Sequence, residues 1–128
     1  MDILNKTLTK KQLLELSPLV LAFIGDSVHT LYVRDGVVKS SNMTANNLHK
    51  KASLKCKATH QAKVLDEILN LLTQEEQDVV RRTRNCKVNH TAKNSSLEDY
   101  KKATSYEALI GWLYLQGDYE RMEKFLNY

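Results

Sequence analysis

Two acids stand in the chain where acids are costly. Asp26 interrupts the apolar run LVLAFIGDSVHTLYVR at 19–34, and Glu107 interrupts ATSYEALIGWL at 103–113. On helical spacing Leu19, Ala22, Phe23, Asp26, Thr30 and Val33 share one face. A carboxylate buried on such a face needs something to compensate its charge. If the two helices pack together, the acids converge on one divalent cation. Mg²⁺ suits that set, because it takes one or two carboxylates and keeps several waters. Water activated by such an ion can attack a phosphodiester while the ion stabilises charge on the phosphate oxygens. Each acid also has a plainer reading. Asp26 can sit in a buried ion pair or a helix-to-helix hydrogen bond, and Glu107 can be a partly exposed acid paired with Lys101 or Lys102.

A third feature concerns a polyanion. Seven Lys or Arg lie between residues 81 and 102, against two acids, Glu98 and Asp99. Arg81, Arg82, Arg84, Asn85, Lys87, His90 and Lys93 are the candidate contacts to a nucleic-acid backbone, with Asn89, Thr91 and Asn94 as further donors. The loop holds no Phe, Tyr or Trp on which a base could stack, which favours a duplex read by shape over a single strand. The plainer reading is a solvated basic face. His29, His49 and His60 have no partner at metal-ligand spacing on their own helices. Tyr106, Trp112, Tyr114 and Tyr119 read as core or subunit-contact residues.

These groups need rigid elements to hold them. The 128 residues are 42% hydrophobic, with one Pro and four Gly, a composition for helices and against an all-β fold. Thr9 caps a short helix from Lys10 to Leu16. Ser17 and Pro18 start a helix that runs to about Arg34 and ends at Asp35-Gly36. Thr44 caps one long segment from Ala45 to about Leu71. Thr73 and Glu76 form a capping box for a helix ending among Arg81, Arg82 and Arg84. Residues 85–95 read as a loop. Ser96 opens a helix from Leu97 to about Gln116, Gly117 closes it, and Asp118 caps a last helix, Tyr119 to Leu126. The expectation is one all-α domain, 1–128, of six to seven helices.

Lys plus Arg outnumber Asp plus Glu by 19 to 15, a weak pointer to a polyanionic partner. Cys56 and Cys86 match no zinc or disulfide pattern and read as idle thiols in a reducing cytosol. No apolar run is long enough for a membrane span, and the first residues carry no signal-peptide core, so a cytoplasmic protein is expected.

Taken together, the motifs resemble the ribonuclease III catalytic domain, most closely the Mini-ribonuclease III form that lacks a double-stranded-RNA-binding domain. Phe23-Ile24-Gly25-Asp26-Ser27-Val28 resembles the signature F-L-G-D-A-V, and Glu107-Ala108-Leu109-Ile110-Gly111 resembles E-A-L-I-G. Arg81-Arg82-Thr83-Arg84-Asn85 and His90-Thr91-Ala92-Lys93-Asn94 resemble blocks of the Mini form. The resemblance spans about residues 12 to 126. It implies a homodimer that cleaves double-stranded RNA with Mg²⁺ (Mn²⁺ as a substitute), leaves a 5′ phosphate and matures 23S ribosomal RNA precursor. Asp26 and Glu107 would be the catalytic, metal-binding acids. Leu19 and Ala22 stand where larger relatives carry Glu, and Thr104 where they carry Asp; the Mini form shares these replacements. Without a second RNA-binding domain, the basic surface from Arg81 to Lys93 must hold the duplex, helped by a two-fold dimer. The helices carrying Gly25 and Gly111 are candidates for the dimer face. The alternatives are a non-catalytic RNA-binding ribosome-assembly factor on the same fold, and a helical protein-interaction module.

Overall fold

A computed structural model describes residues 6–87 and 96–128. Seven α-helices and one short 3-10 turn make up the described residues, with no strand among them: α1 Lys10–Leu14, α2 Pro18–Ser40, α3 Ala45–Cys56, α4 Ala58–Ile68, the turn Leu69–Leu71, α5 Gln74–Arg84, α6 Leu97–Gln116 and α7 Tyr119–Leu126. The all-α expectation is met.

Most starts and stops follow from capping chemistry. Thr9 and Thr73 each accept from the third helical N–H while Gln12 and Glu76 reach back to the cap N–H, so both are full capping boxes. Ser17, Thr44, Ser96 and Asp118 also accept from backbone N–H groups at their helix starts. Gly117 ends α6 in the left-handed region, φ 84°, where a side chain would be strained.

α6 is the centre of the molecule. α1, α2, α4, α5 and α7 all pack on it, α2 most extensively. Nine of its residues are buried, including Tyr106, Leu109, Ile110, Trp112 and Leu113, which explains an apolar pattern running round most of the helix. Each such large side chain contributes about 1.5–3 kcal/mol by leaving water. Tyr106 and Trp112 are core residues, and Tyr114 and Tyr119 pack against the core's edge.

α1 ends at Leu14, two residues short of the expected Leu16, and two larger differences follow. α2 runs through Asp35 and Gly36 to Ser40. Val37 is buried with Val33 and Ala52 in a small second cluster, and Asp35 pairs with Lys39 one turn on at 3.0 Å. Burying Val37 against α3 outweighs the stop signal. The segment 45–71 is two helices with a break at Lys57, which is extended (φ −69°, ψ 146°) and gives α4 no side-chain cap. Neither Pro nor Gly marks that break.

Candidate active site

Asp26 and Glu107 are brought together by two glycines. A Cβ on Gly25 would lie 1.7 Å from the Glu107 carbonyl oxygen, and a Cβ on Gly111 would lie 2.0 Å from that of Leu21. Only bare backbone at both positions lets α2 and α6 approach so closely. The crossing sets Asp26, next to Gly25, beside Glu107, and the two carboxyl groups share a hydrogen bond. Both glycines are therefore used within the chain, so the helix faces that carry them are not free for a dimer contact.

The face of α2 is only partly the expected one. Ala22 and Val33 are buried as expected, together with Leu21, Gly25, Val28 and His29, while Leu19 (41% exposed) and Phe23 (78%) are turned out. Asp26 itself is exposed. It is not a buried ion-paired acid; it stands at the rim of the helix crossing, with Glu107 set further in. Lys102 is not a partner of Glu107 either, since it pairs with Asp66 at 3.1 Å and Glu98 at 3.6 Å.

Burial, then the hydrogen bond and the charge of Asp26, push the Glu107 carboxyl up to about 9. One hydrogen bond opposes this, from the side chain of Gln61 on α4. Gln61 is itself buried, and its Nε2 lies 3.2 Å from Nδ1 of buried His29. Burial first, and His60 second, lower His29 to about 4, with Asp26 opposing, so the ring is neutral near pH 7. The His29 ring meets Tyr106 edge to face at 5.5 Å. Cys56, at the end of α3, is raised by burial first, with the charges of both acids adding to the rise. Neither Gln61 nor His29 was expected to belong here. His29 lies one turn after Asp26, a signal present in the sequence; Gln61 depends on the unmarked break at Lys57.

The donor set fits a hard divalent cation. Two carboxylates, one of them kept protonated by burial and then by its acidic neighbour, invite a positive charge between them. Among the described residues no group of three His, Cys, Asp or Glu side chains is arranged to hold a metal ion. Leu19 and Ala22 offer no donor, and the Thr104 hydroxyl donates to the Tyr100 carbonyl at 2.8 Å. A hollow of about 480 Å³ opens beyond His29, between Tyr32, Lys51, Lys55 and Tyr128, but neither acid lines it. The acids stand at an open surface, which suits a large substrate.

Of the basic candidates, Arg81, Arg84 and Asn85 line one open groove with Lys101 of α6, about 430 Å³ in volume. Lys101 precedes Glu107 by six residues, about 9 Å along the helix axis. Arg82 is half-buried and lines a separate hollow with Lys10 and Trp112. Arg81 also pairs with Asp78 at 3.2 Å, and Lys87 is exposed. His90 and Lys93 lie outside the described residues. No helix among the described residues is long and apolar enough to cross a membrane. Cys56 and Cys86 are both unbridged.

Comparison with known proteins gives the family. The ribonuclease III domain model matches residues 19–118. Mini-ribonuclease 3 of Thermoanaerobacter sp. is 49% identical over 96% of this chain and 87% of its own length. Mini-ribonuclease 3 of Clostridium tetani is 41% identical over 97% of this chain and 83% of its own length. A crystal structure of a Fusobacterium nucleatum protein superposes with a TM-score of 0.82 at 30% identity, covering 88% of this chain and 90% of that one. The chain belongs to the ribonuclease III family, in its Mini-ribonuclease 3 group, and is an endoribonuclease.

Proposed function

We propose that the chain cleaves double-stranded RNA as a Mg²⁺-dependent endonuclease, with residues 1–128 as the catalytic unit and 23S ribosomal RNA precursor as the natural substrate. One observation carries the reading: a crossing with room only for glycine brings Asp26 and Glu107, far apart in sequence, into hydrogen-bond contact at an exposed rim. Asp26 and Glu107 would hold Mg²⁺, or Mn²⁺ in its place. When bound, such an ion supplies positive charge to the phosphate oxygens and lowers the pKa of a water.

The chain's own residues do the rest. Asp26 faces the solvent from which the duplex arrives, and Glu107 anchors the site from within. Hydrolysis adds water across one phosphodiester, leaving a 5′ phosphate on one fragment and a 3′ hydroxyl on the other. Arg81, Arg84 and Asn85, with Lys101, offer a groove for the RNA backbone; Arg82, Lys87, His90 and Lys93 are the further candidate contacts. Phosphate contacts of this kind fix register without reading sequence. Replacing Arg84 with Ala is expected to weaken duplex binding and to reduce the slope of log affinity against log salt by about 1.

A second copy of the chain completes the enzyme in this reading. Val20, Phe23 and Leu31 form an exposed apolar line on α2 beside Asp26. Covering it in a two-fold dimer places two sites on one duplex. Changing Phe23 to Asp should yield a monomer by analytical ultracentrifugation. The compartment follows as the cytoplasm, where such an RNA is processed.

The test is cleavage of a long RNA duplex with Mg²⁺ and with EDTA. Asp26→Asn keeps the shape of the side chain but loses most of its attraction for the ion. Cleavage as fast as the parent's would overturn the assignment. Binding of duplex without cleavage at any Mg²⁺ or Mn²⁺ concentration would do the same.

A further inference from the structure

The hollow beyond His29 belongs to neither acid of the site, and its walls carry charge of both signs. It lies between the second half of α2, α3, α4 and α7, and its volume of about 480 Å³ is that of a small-molecule pocket. α3 supplies Lys51 and Lys55, and α4 supplies His60. No acid occurs in the sequence between Asp35 and Asp66, so this wall is basic throughout. α2 and α7 supply Asp35 and Glu123. Among the described residues Lys51, Lys55 and Glu123 form no ion pair, and Asp35 pairs only with Lys39 of its own helix, at 3.0 Å. The opposite charges therefore stand apart across the hollow without neutralising each other. After burial, Lys55 and Lys63 lower His60, whereas Glu123 and Asp35 raise Tyr32, in keeping with one basic and one acidic wall. Lys51 donates to Ser41 Oγ at 2.9 Å, and the Tyr32 hydroxyl donates to Asn127, so each wall has a fixed member.

Between the walls lie the rings of Tyr32, Tyr106 and Tyr128, with Val64 and Leu126. Gly36 lines the hollow as well. A glycine inside a helix costs stability relative to alanine, yet a Cβ at Gly36 would meet nothing within 4 Å. Close packing does not require this glycine, as it requires Gly25 and Gly111; its effect is to leave the hollow open. A ligand that answers every surface carries a compact anion for the lysines, a flat ring for the tyrosines and hydroxyl or amino donors for the carboxylates. We propose that the hollow binds a nucleoside 5′-monophosphate, with its phosphate at Lys51 and Lys55 and its sugar and base donors toward Asp35 and Glu123. Neither Asp26 nor Glu107 lines the hollow, so this binding needs no divalent cation and no contribution from the acid pair.

The experiment is a heteronuclear NMR titration of the full chain with AMP, GMP, CMP and UMP in EDTA, with inorganic phosphate and adenosine as separate arms. The variants are Asp26→Asn, the double change Lys51→Met with Lys55→Met, and Gly36→Leu, which puts a side chain into the hollow. Lys51, Lys55 and Gly36 are exposed, so these chains should fold, and the spectrum itself checks that they do. The expected result is saturable binding of at least one nucleotide, with shifts at Tyr32, Gly36 and His60, about tenfold tighter than phosphate or adenosine alone. The double lysine variant and Gly36→Leu should each weaken it about tenfold, and Asp26→Asn should bind as the parent does. No saturable binding of any of the four nucleotides up to about 10 mM would overturn the proposal. So would parent-like affinity in the lysine variant or in Gly36→Leu. Phosphate or adenosine alone binding as tightly as the nucleotides would also overturn it, and loss of binding in Asp26→Asn would move the nucleotide to the acid pair and remove the separate site.

Discussion

Glu76 and Glu107 are the same residue in the same protein, both withdrawn from water, and they end on opposite sides of the ordinary carboxylate range. Glu76 is 3% exposed. It receives the Arg121 guanidinium at 2.5 and 2.7 Å and the Thr73 backbone N–H at 2.8 Å. Burial alone would raise it, but the Arg121 and Thr73 hydrogen bonds and the Arg121 charge bring it below its usual value. Glu107 meets another acid, and burial with that acid lifts it to about 9. The first arrangement ties the start of α5 to α7 and is complete. The second lacks a positive charge, which the proposed cation would supply. A buried carboxylate with its arginine is a structural part; a half-buried carboxylate facing a second carboxylate is a candidate for chemistry.

The contrast can be broken most severely at the crossing that creates it. Gly25→Ala places a methyl group against the Glu107 backbone, which cannot yield as a side chain does. Overpacking of a rigid contact costs about 1–3 kcal/mol or more, so this variant should melt far below the parent and cleave no RNA. A parent-like melting temperature would contradict the close crossing. Next in size is Glu76→Gln. It strands the Arg121 charge and should destabilise by about 2–4 kcal/mol in chemical denaturation, with cleavage per folded molecule unchanged.

pH separates the two residues by sign. Glu76 is lowered in the folded state, so its stabilisation is present above the unfolded value of 4.5 and is lost as pH falls through its folded value. Glu107 is raised, so its proton favours the folded state fully below 4.5, and that contribution disappears as pH climbs toward about 9. In EDTA, Glu107→Gln should therefore raise the melting temperature near pH 8 by about 3–8 °C while abolishing cleavage. Thermal unfolding across pH checks both halves. Smallest is Lys102→Ala. Its pairs with Asp66 and Glu98 lie at the surface, and its loss should leave the melting temperature nearly unchanged and cleavage intact.

What the chain reveals unaided follows the same division between local and distant causes. Helix starts are local chemistry, and Thr9, Ser17, Thr44, Thr73, Ser96 and Asp118 all cap as their side chains dictate. Asp26 and Glu107 were legible because acids in apolar helices are conspicuous, and their motifs resemble a known family. The orientation of α2 was not legible. Leu19 and Phe23 are apolar, and period alone does not say which of two apolar faces the core will take. The end of α2 depended on Val37 finding Ala52 across a gap in sequence. The break at Lys57, and with it Gln61 at the site, has no local marker. Tertiary packing decided these, and no window of neighbouring residues contains it.

The most direct measurement of the central claim is calorimetry of Mg²⁺ or Mn²⁺ binding in two buffers of different ionisation enthalpy at about pH 7.5, which counts protons released. Glu107 in the cation-free protein holds a proton up to about 9, and an ion on the carboxylate pair must displace it. Release of about one proton per ion by the parent, absent in Glu107→Gln, is the predicted result. Binding that releases no proton, or that is the same in Glu107→Gln as in the parent, would contradict a cation held between Asp26 and Glu107.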